Sequence, residues 1–205
     1  MKKTTKERII VEALTLFSKN GYEAVSVVQI ASAVGIKAPS LYKHFKSKQD
    51  IFSAIINEMA QRYDEQMKNL LMNGKDPNED KTMFLTMDID TLIMTGKTLF
   101  QFYLHDEVSS KFRQLLAIEQ YHDPALAKLY HEQYFYAPIA YQSSLFAHFI
   151  QAGTMKKEKP EIIALHFYAP LFTLLSFADS DASKEETIMN MLEEHVRQFH
   201  RLYIL

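Results

Sequence analysis

The chain has 205 residues, 47% of them apolar and 23% charged, with a formal net charge of −2, eight histidines and no cysteine. That length suits one or two domains with a buried core, and the lack of cysteine excludes disulfides, thiolate metal sites and cysteine nucleophiles. Only five glycines and six prolines favour helices over a turn-rich β architecture. The charge is unevenly spread: residues 1–50 hold nine Lys/Arg against four Asp/Glu, and the remainder fourteen against twenty-one. A basic head on an acidic body fits a chain that touches phosphates with one end only. A reducing, cytoplasmic setting fits the absence of cysteine without following from it.

The opening stretch MKKTTKERIIVEALTLF sets basic residues before apolar ones. Glu12 interrupts the apolar run and no small-residue cleavage site follows, which argues against a signal peptide. Thr4 and Glu7 instead form a capping-box pair. They open a helix to about Lys19, with Ile9, Ile10, Ala13, Leu14 and Phe17 on one stripe and Asn20-Gly21 at its end. Ser26 and Gln29 repeat the capping box ahead of Val28, Ala31 and Val34, which recur every three residues as on one helical stripe. Gly35 ends this helix, because glycine takes a left-handed conformation at no steric cost. A second short helix follows, with Leu41 and Phe45 on its inner face. Two short helices joined by so tight a turn form a helix-turn-helix, whose second helix enters the major groove of DNA.

Ser47 and Asp50 mark the start of a longer helix. Ile51, Phe52, Ile55, Ile56, Met59, Tyr63, Met67 and Leu70 keep helical spacing as far as Leu71. About 25 residues would extend roughly 37 Å, enough to join a small head to a separate body. Residues 75–81 read as a polar loop. Further helices are expected near 82–104, 107–120, 124–135, 138–152, 160–178 and 184–203, with no strand and no repeat. Asp106, Asp123 and Ser183 are the expected caps, and Pro138 and Pro170 should sit at first turns or kinks. The apolar run from Ile162 to Ala178 approaches membrane length. With His166 and Pro170 inside it, it reads as a buried helix, and no membrane partner is expected.

The ordered set Ala31-x3-Gly35, Leu41-Tyr42, Phe45 and Lys46-Ser47-Lys48 with Asp50-Ile51 behind resembles the tetracycline-repressor (TetR/AcrR) family of bacterial transcription regulators. The resemblance covers about residues 5–55. It implies an all-α fold, with an N-terminal three-helix helix-turn-helix DNA-binding domain over residues 1–47. A C-terminal helical-bundle domain for ligand binding and dimerisation would occupy 48–205. The implied function is a homodimeric repressor, released from a palindromic double-stranded DNA operator by a small hydrophobic or aromatic effector. Lys37, Ala38, Pro39, Ser40, Tyr42, Lys43 and His44, on a reading helix from about Lys37 to Phe45, would face DNA. Ser26 and Val27 would touch the other wall of the groove, and Lys48 the backbone. Pro39 needs no N–H donor at a first helical position and can meet a thymine methyl, while Lys43 can reach guanine or phosphate. The resemblance also puts the dimer interface on the helices near 160–178 and 184–203.

For the effector, the tyrosines and phenylalanines of the middle third suit an apolar pocket with a few placed polar groups. Phe100, Tyr103, Glu119, Tyr130, Tyr134, Tyr141, Phe146, His166 and Phe172 are the candidates. An aromatic-rich helical core is the simpler reading of any one of them. The histidines show no metal-ligand spacing, and there is no phosphate loop or nucleophile elbow. No metal, cofactor or catalysis is expected. The competing function is a helical ligand-binding or protein-interaction module without sequence-specific DNA binding.

Overall fold

The structure, a computed structural model, describes residues 3–205. Its helices are α1 Thr5–Asn20, α2 Val27–Val34, α3 Ala38–Leu41, α4 Lys48–Asn69, α5 Pro77–Thr86 and α6 Ile89–His105. They continue as α7 Glu107–Glu119, α8 Pro124–His131, α9 Ala137–Gln151, α10 Pro160–Ser180 and α11 Glu185–Tyr203. Among the described residues the only β-type pairing is a single bridge between Met155 and Ile204.

The chain divides into two compact units. The first combines the residues through Tyr63 with Asp106–Tyr130, and the second combines Asp64–His105 with His131–Leu205. In the first unit α7 packs along α1. Ile9, Ala13, Leu14 and Phe17 of α1 share a buried interior with Ile30 and Ala31 of α2, Leu41, and Ile51, Phe52 and Ile55 of α4. Phe112, Leu115 and Leu116 of α7 are fully buried with them. Rings run through this interior in sequence: Phe17 to Tyr22 at 5.1 Å, Tyr22 to Phe52 at 5.1 Å, and Phe52 to Phe112 at 6.3 Å between centroids. Apolar burial of this kind is the main stabilising term, worth about 1.5–3 kcal/mol for each large side chain.

In the second unit one cluster joins α6, α10 and α11 through Ile93, Phe100, Leu174, Leu175, Ile188 and Leu192. Another joins α9, α10 and α11 through Leu145, Phe146, Phe149, Ile163 and Phe199. Phe167 packs against both. Helix α10 is long and apolar enough to cross a membrane by length and composition alone. Its inner side is buried by α9 and α11, while Ile162, Leu165 and Phe177 are about half exposed on the other side. The expected burial of this helix is therefore one-sided.

Several sequence expectations are corrected by local chemistry. The polar loop at 75–81 ends early, because Asp76 accepts the Asn78 N–H and Pro77 opens α5 at a position that needs no donor. The single helix near 82–104 is broken at Met87, whose ψ of 128° is extended. Asp88 then caps α6 by accepting the Thr91 N–H at 2.8 Å. Ser183 does not cap α11, which starts after Lys184 without a side-chain cap, and Asp181 instead caps the tight turn Ala182–Lys184 before it by accepting the Ser183 N–H. Val28 points outward, and the buried residues of α2 are Ile30, Ala31 and Val34.

The helix expected at 124–135 is a regular α-helix only as far as His131. A π turn over Glu132–Tyr136 joins α8 to α9, with the Ala137 N–H bonded to the Glu132 carbonyl five residues back. Pro138 is the physical cause. It has no N–H for the Tyr134 carbonyl four residues back, and its ring crowds that carbonyl in a regular α-turn. Widening the turn relieves the clash, and the Tyr168 hydroxyl donates to Tyr134 O at 2.8 Å.

Asp106 closes the first unit electrostatically. Its carboxylate accepts the Ser109 N–H at 2.9 Å as the cap of α7 and the Arg62 guanidinium at 2.7 Å. Burial pushes this carboxyl upward, but the Ser109 donors and Arg62 outweigh it and hold Asp106 below its ordinary 3.8. A depressed carboxylate stabilises the fold above its unfolded value and loses that contribution as pH falls through its folded value. Asp106→Ala should cost about 1–2 kcal/mol at neutral pH. Thermal melts across the acid range should show the variant and wild type converging once Asp106 is protonated.

Candidate nucleic-acid interface

Both helices of the helix-turn-helix are set by short-range bonds. Ser26 Oγ accepts the Gln29 N–H at 3.3 Å, and Gln29 Oε1 accepts the Ser26 N–H at 2.8 Å, so the capping box before α2 is complete. Gly35 ends α2 at φ 76° and ψ 32°, a left-handed conformation. The Arg8 guanidinium donates to the Val34 carbonyl, tying α1 to the last turn of α2.

Helix α3 begins after extended Lys37, with Pro39 in its first turn. The reading helix expected from Lys37 to Phe45 is shorter as a regular helix and continues as tightened turns. Lys43 N–H bonds Ser40 O at 3.3 Å and His44 N–H bonds Leu41 O at 2.8 Å, both three residues back. Leu41 and Phe45 are buried. Lys37, Pro39, Tyr42, Lys43 and His44 are exposed, with Ala38 and Ser40 half-buried between them. Ser26 is exposed and Val27 half-buried at the start of α2. One side of this short helix is thus anchored in the core, and the other presents two cations, an imidazole and a phenol to solvent.

Lys48 is placed differently from a simple backbone ligand. Its ammonium donates to Tyr22 O at 3.0 Å and Glu23 O at 3.4 Å, and lies 4.3 Å over the Tyr22 ring. The Glu23 carboxylate is 3.6 Å away. An ammonium has three donors, so at most one of them is left for a phosphate. At the same helix start, Ser47 Oγ accepts the Asp50 N–H and Asp50 accepts the Lys46 N–H, each at 3.0 Å.

Residues 9–55 match the family described as "Bacterial regulatory proteins, tetR family". That likeness lies in the helix-turn-helix head. The biofilm operon icaADBC negative transcriptional regulator IcaR of Staphylococcus aureus is 49% identical over 47 residues, 23% of this chain and 25% of that protein. The match therefore spans about a quarter of the curated relative. Over the whole chain the likeness is one of fold. A TetR-family transcriptional regulator from Pseudomonas syringae pv. tomato superposes with a TM-score of 0.66 at 16% identity, covering 100% of both chains. The SmeT–triclosan complex, SmeT being the repressor of the Stenotrophomonas maltophilia efflux pump SmeDEF, gives a TM-score of 0.65 at 16% identity. It covers 99% of this chain and 93% of that one.

The fold does not bring the nine effector candidates to one cavity within either unit. Phe100 lies in the α6–α10–α11 cluster with Tyr103 against it, whereas Phe146 lies in the α9–α10–α11 cluster with Tyr141 against it. The Tyr141 hydroxyl donates to buried Asp80 at 2.5 Å. Tyr134 and Phe172 meet with ring centroids 6.4 Å apart. His166 is exposed, with Nδ1 2.6 Å from the Tyr203 hydroxyl. Glu119 and Tyr130 are buried in the other unit. A shallow groove of about 290 Å³ in the second unit is lined by Lys81, Thr82, Leu85, His148, Gln151 and Ala152, none of them a candidate. Among the described residues no group of three or more His, Asp or Glu is arranged to hold a metal ion.

Sequence reasoning missed Arg8, Tyr22, Gln49 and the true partner of Glu119 as determinants of this head. Their contacts join positions far apart in the chain, which no local pattern encodes. The caps are open to direct measurement. Ser26→Ala should cost about 1 kcal/mol and Gly35→Ala a similar amount, the first by removing an acceptor and the second by forcing a Cβ into a left-handed backbone. Chemical denaturation with unchanged m values would check both.

Proposed function

We propose that this chain is a ligand-responsive, DNA-binding transcriptional regulator, a homodimeric repressor released from a palindromic operator by a small hydrophobic or aromatic effector. The observation that carries the reading is the exposed side of α3 and its following turn. Lys37, Pro39, Tyr42, Lys43 and His44 stand in solvent directly opposite buried Leu41 and Phe45, within the stretch that matches the family. Residues 1–47 read DNA in this proposal, and 48–205 sense the effector and dimerise. Lys43 and Lys37 supply charge to phosphate or guanine, Tyr42 packs on sugar or methyl, and Pro39 with Ala38 meets thymine methyls. Ser40, His44, Ser26 and Val27 complete the groove contacts, and Lys48 adds its remaining donor at the backbone.

Support for repression and ligand response comes from relatives. IcaR is named a negative regulator, and SmeT is a repressor whose complex with triclosan is known. The effector residues proposed here are those of the second unit, Phe100, Tyr103, Tyr134, Tyr141, Phe146, Phe172 and His166, while Tyr130 and Glu119 lie in the first unit, where Glu119 accepts the Tyr22 N–H. The dimer is proposed on α10 and α11. Ile162, Leu165 and Phe177 of α10 and Met191 and Leu202 of α11 are half or nearly half exposed, and large side chains on such a face are covered at low cost by a second copy. Two copies would present two reading helices about 34 Å apart, one turn of duplex. An effector that binds one body conformer better shifts that spacing by no more than its differential affinity.

A duplex selected by the protein itself from a randomised library provides the test. Affinity should fall steeply with salt, and Lys43→Ala should lower the log–log slope by about one. Affinity indifferent to salt and sequence would leave the protein-interaction or ligand-binding module as the better reading. For the dimer, Leu165→Glu combined with Phe177→Glu should sediment as a monomer. The same variant should lose roughly a hundredfold in affinity for the palindromic site, because the second half-site no longer adds avidity.

A further inference from the structure

Glu119 ends α7, 97 residues beyond Tyr22, and is 5% exposed. Its Oε1 accepts the Tyr22 backbone N–H at 2.9 Å. The approach is close enough to dictate the preceding residue. Gly21 holds φ at +83°, and a Cβ built there would stand 2.8 Å from that same oxygen. A carboxylate out of water keeps its place only where donors meet it, so this bond is costly to break.

Tyr22 is occupied on its other sides as well. Its carbonyl accepts from Lys48 Nζ at 3.0 Å and from the Val25 N–H at 3.4 Å. Its ring lies under the Lys48 ammonium, and its hydroxyl donates to Gln49 Oε1 at 3.0 Å. Burial, with the Glu23 and Asp123 carboxylates adding to it, raises this phenol above its ordinary 10.0 and keeps the hydroxyl a donor. One residue therefore links the end of α7, the first turn of α4 and the connection out of α1. Only a tight turn separates it from Ser26, the cap of α2. Displacement of α7 or of the α4 start has a short and stiff route to the helix-turn-helix.

We propose that Glu119 is a positioning residue for DNA recognition: by holding Tyr22 it sets where α2 and α3 stand, without touching DNA itself. This rests on the DNA-binding reading above. It assigns Glu119 to the head, and Lys48 to the same junction as its second tie. Loss of the Glu119 acceptor misplaces the reading helix, which harms a fitted, sequence-specific complex more than a loose electrostatic one. Simple destabilisation behaves differently, since a smaller folded fraction lowers specific and non-specific binding alike.

The experiment uses the full chain, the library-selected duplex and a scrambled duplex of equal length, with affinity read by fluorescence anisotropy over a salt series. Glu119→Gln keeps an oxygen acceptor for the Tyr22 N–H and should retain the wild-type ratio of selected to scrambled affinity. Glu119→Ala removes the acceptor and should cut that ratio roughly tenfold, with the salt slope unchanged. Where Glu119→Ala does not fold, Glu119→Asp carries the same expectation, because it keeps the charge but withdraws the acceptor. An acceptor-less or shortened variant with the wild-type ratio overturns the proposal, as does Glu119→Gln impaired as severely as Glu119→Ala. Failure of the wild type to select any duplex is seen before a variant is made. It sinks the DNA reading and this proposal together.

Discussion

The bond from the Tyr22 N–H to the Glu119 carboxylate is the constraint on which the architecture of the head depends. It joins a connection between two short helices to a helix that enters the chain nearly a hundred residues later. Around it the Phe17, Tyr22, Phe52 and Phe112 rings form a continuous apolar path through α1, α4 and α7. Polar and apolar parts depend on each other there. The rings exclude water and so strengthen the bond, while the bond satisfies a backbone donor that the packed rings would otherwise strand.

Seen from this junction, the helix-turn-helix is a locally encoded device that is held in place by distant residues. Capping boxes and glycine stops specify α1 and α2 within a few residues of each end. Their placement belongs to Arg8 on the Val34 carbonyl, Lys48 on the Tyr22 carbonyl and Glu119 on the Tyr22 amide. The exposed row on α3 then needs only Leu41 and Phe45 to fix its direction.

The second unit follows a different logic, in which aromatic volume fills space between long helices. Phe167 serves two clusters at once, with Phe146 edge-on to it at 5.8 Å and Phe199 at 4.8 Å. Asp80 is the buried polar point of this unit. It accepts the Asn73 and Gly74 N–H groups at 2.7 Å and the Tyr141 hydroxyl, so it pins the turn after α4 to α9. Tyr168 performs a similar service at the π turn forced by Pro138. Tyr141, an effector candidate from the sequence, thus hydrogen-bonds a buried acid.

Local signals in the sequence determined the helices, most of the caps and the helix-turn-helix, because each rests on bonds spanning three or four residues. They also singled out Leu41 and Phe45 as core, which the burial bears out, while the outward placement of Lys37, Tyr42 and Lys43, which are exposed, was implied by the family resemblance. What failed locally failed for local reasons: Pro77 and Asp76 started a helix inside a polar run, and Met87 broke a helix whose apolar period continued through it. Tertiary structure alone decided that α7 packs within the head, that Glu119 faces Tyr22, and that Lys48 turns inward. A carboxylate on an amphipathic helix reads the same whether its partner is a ligand, solvent or a backbone amide. Only the packing of the rings around it determines which of these it meets.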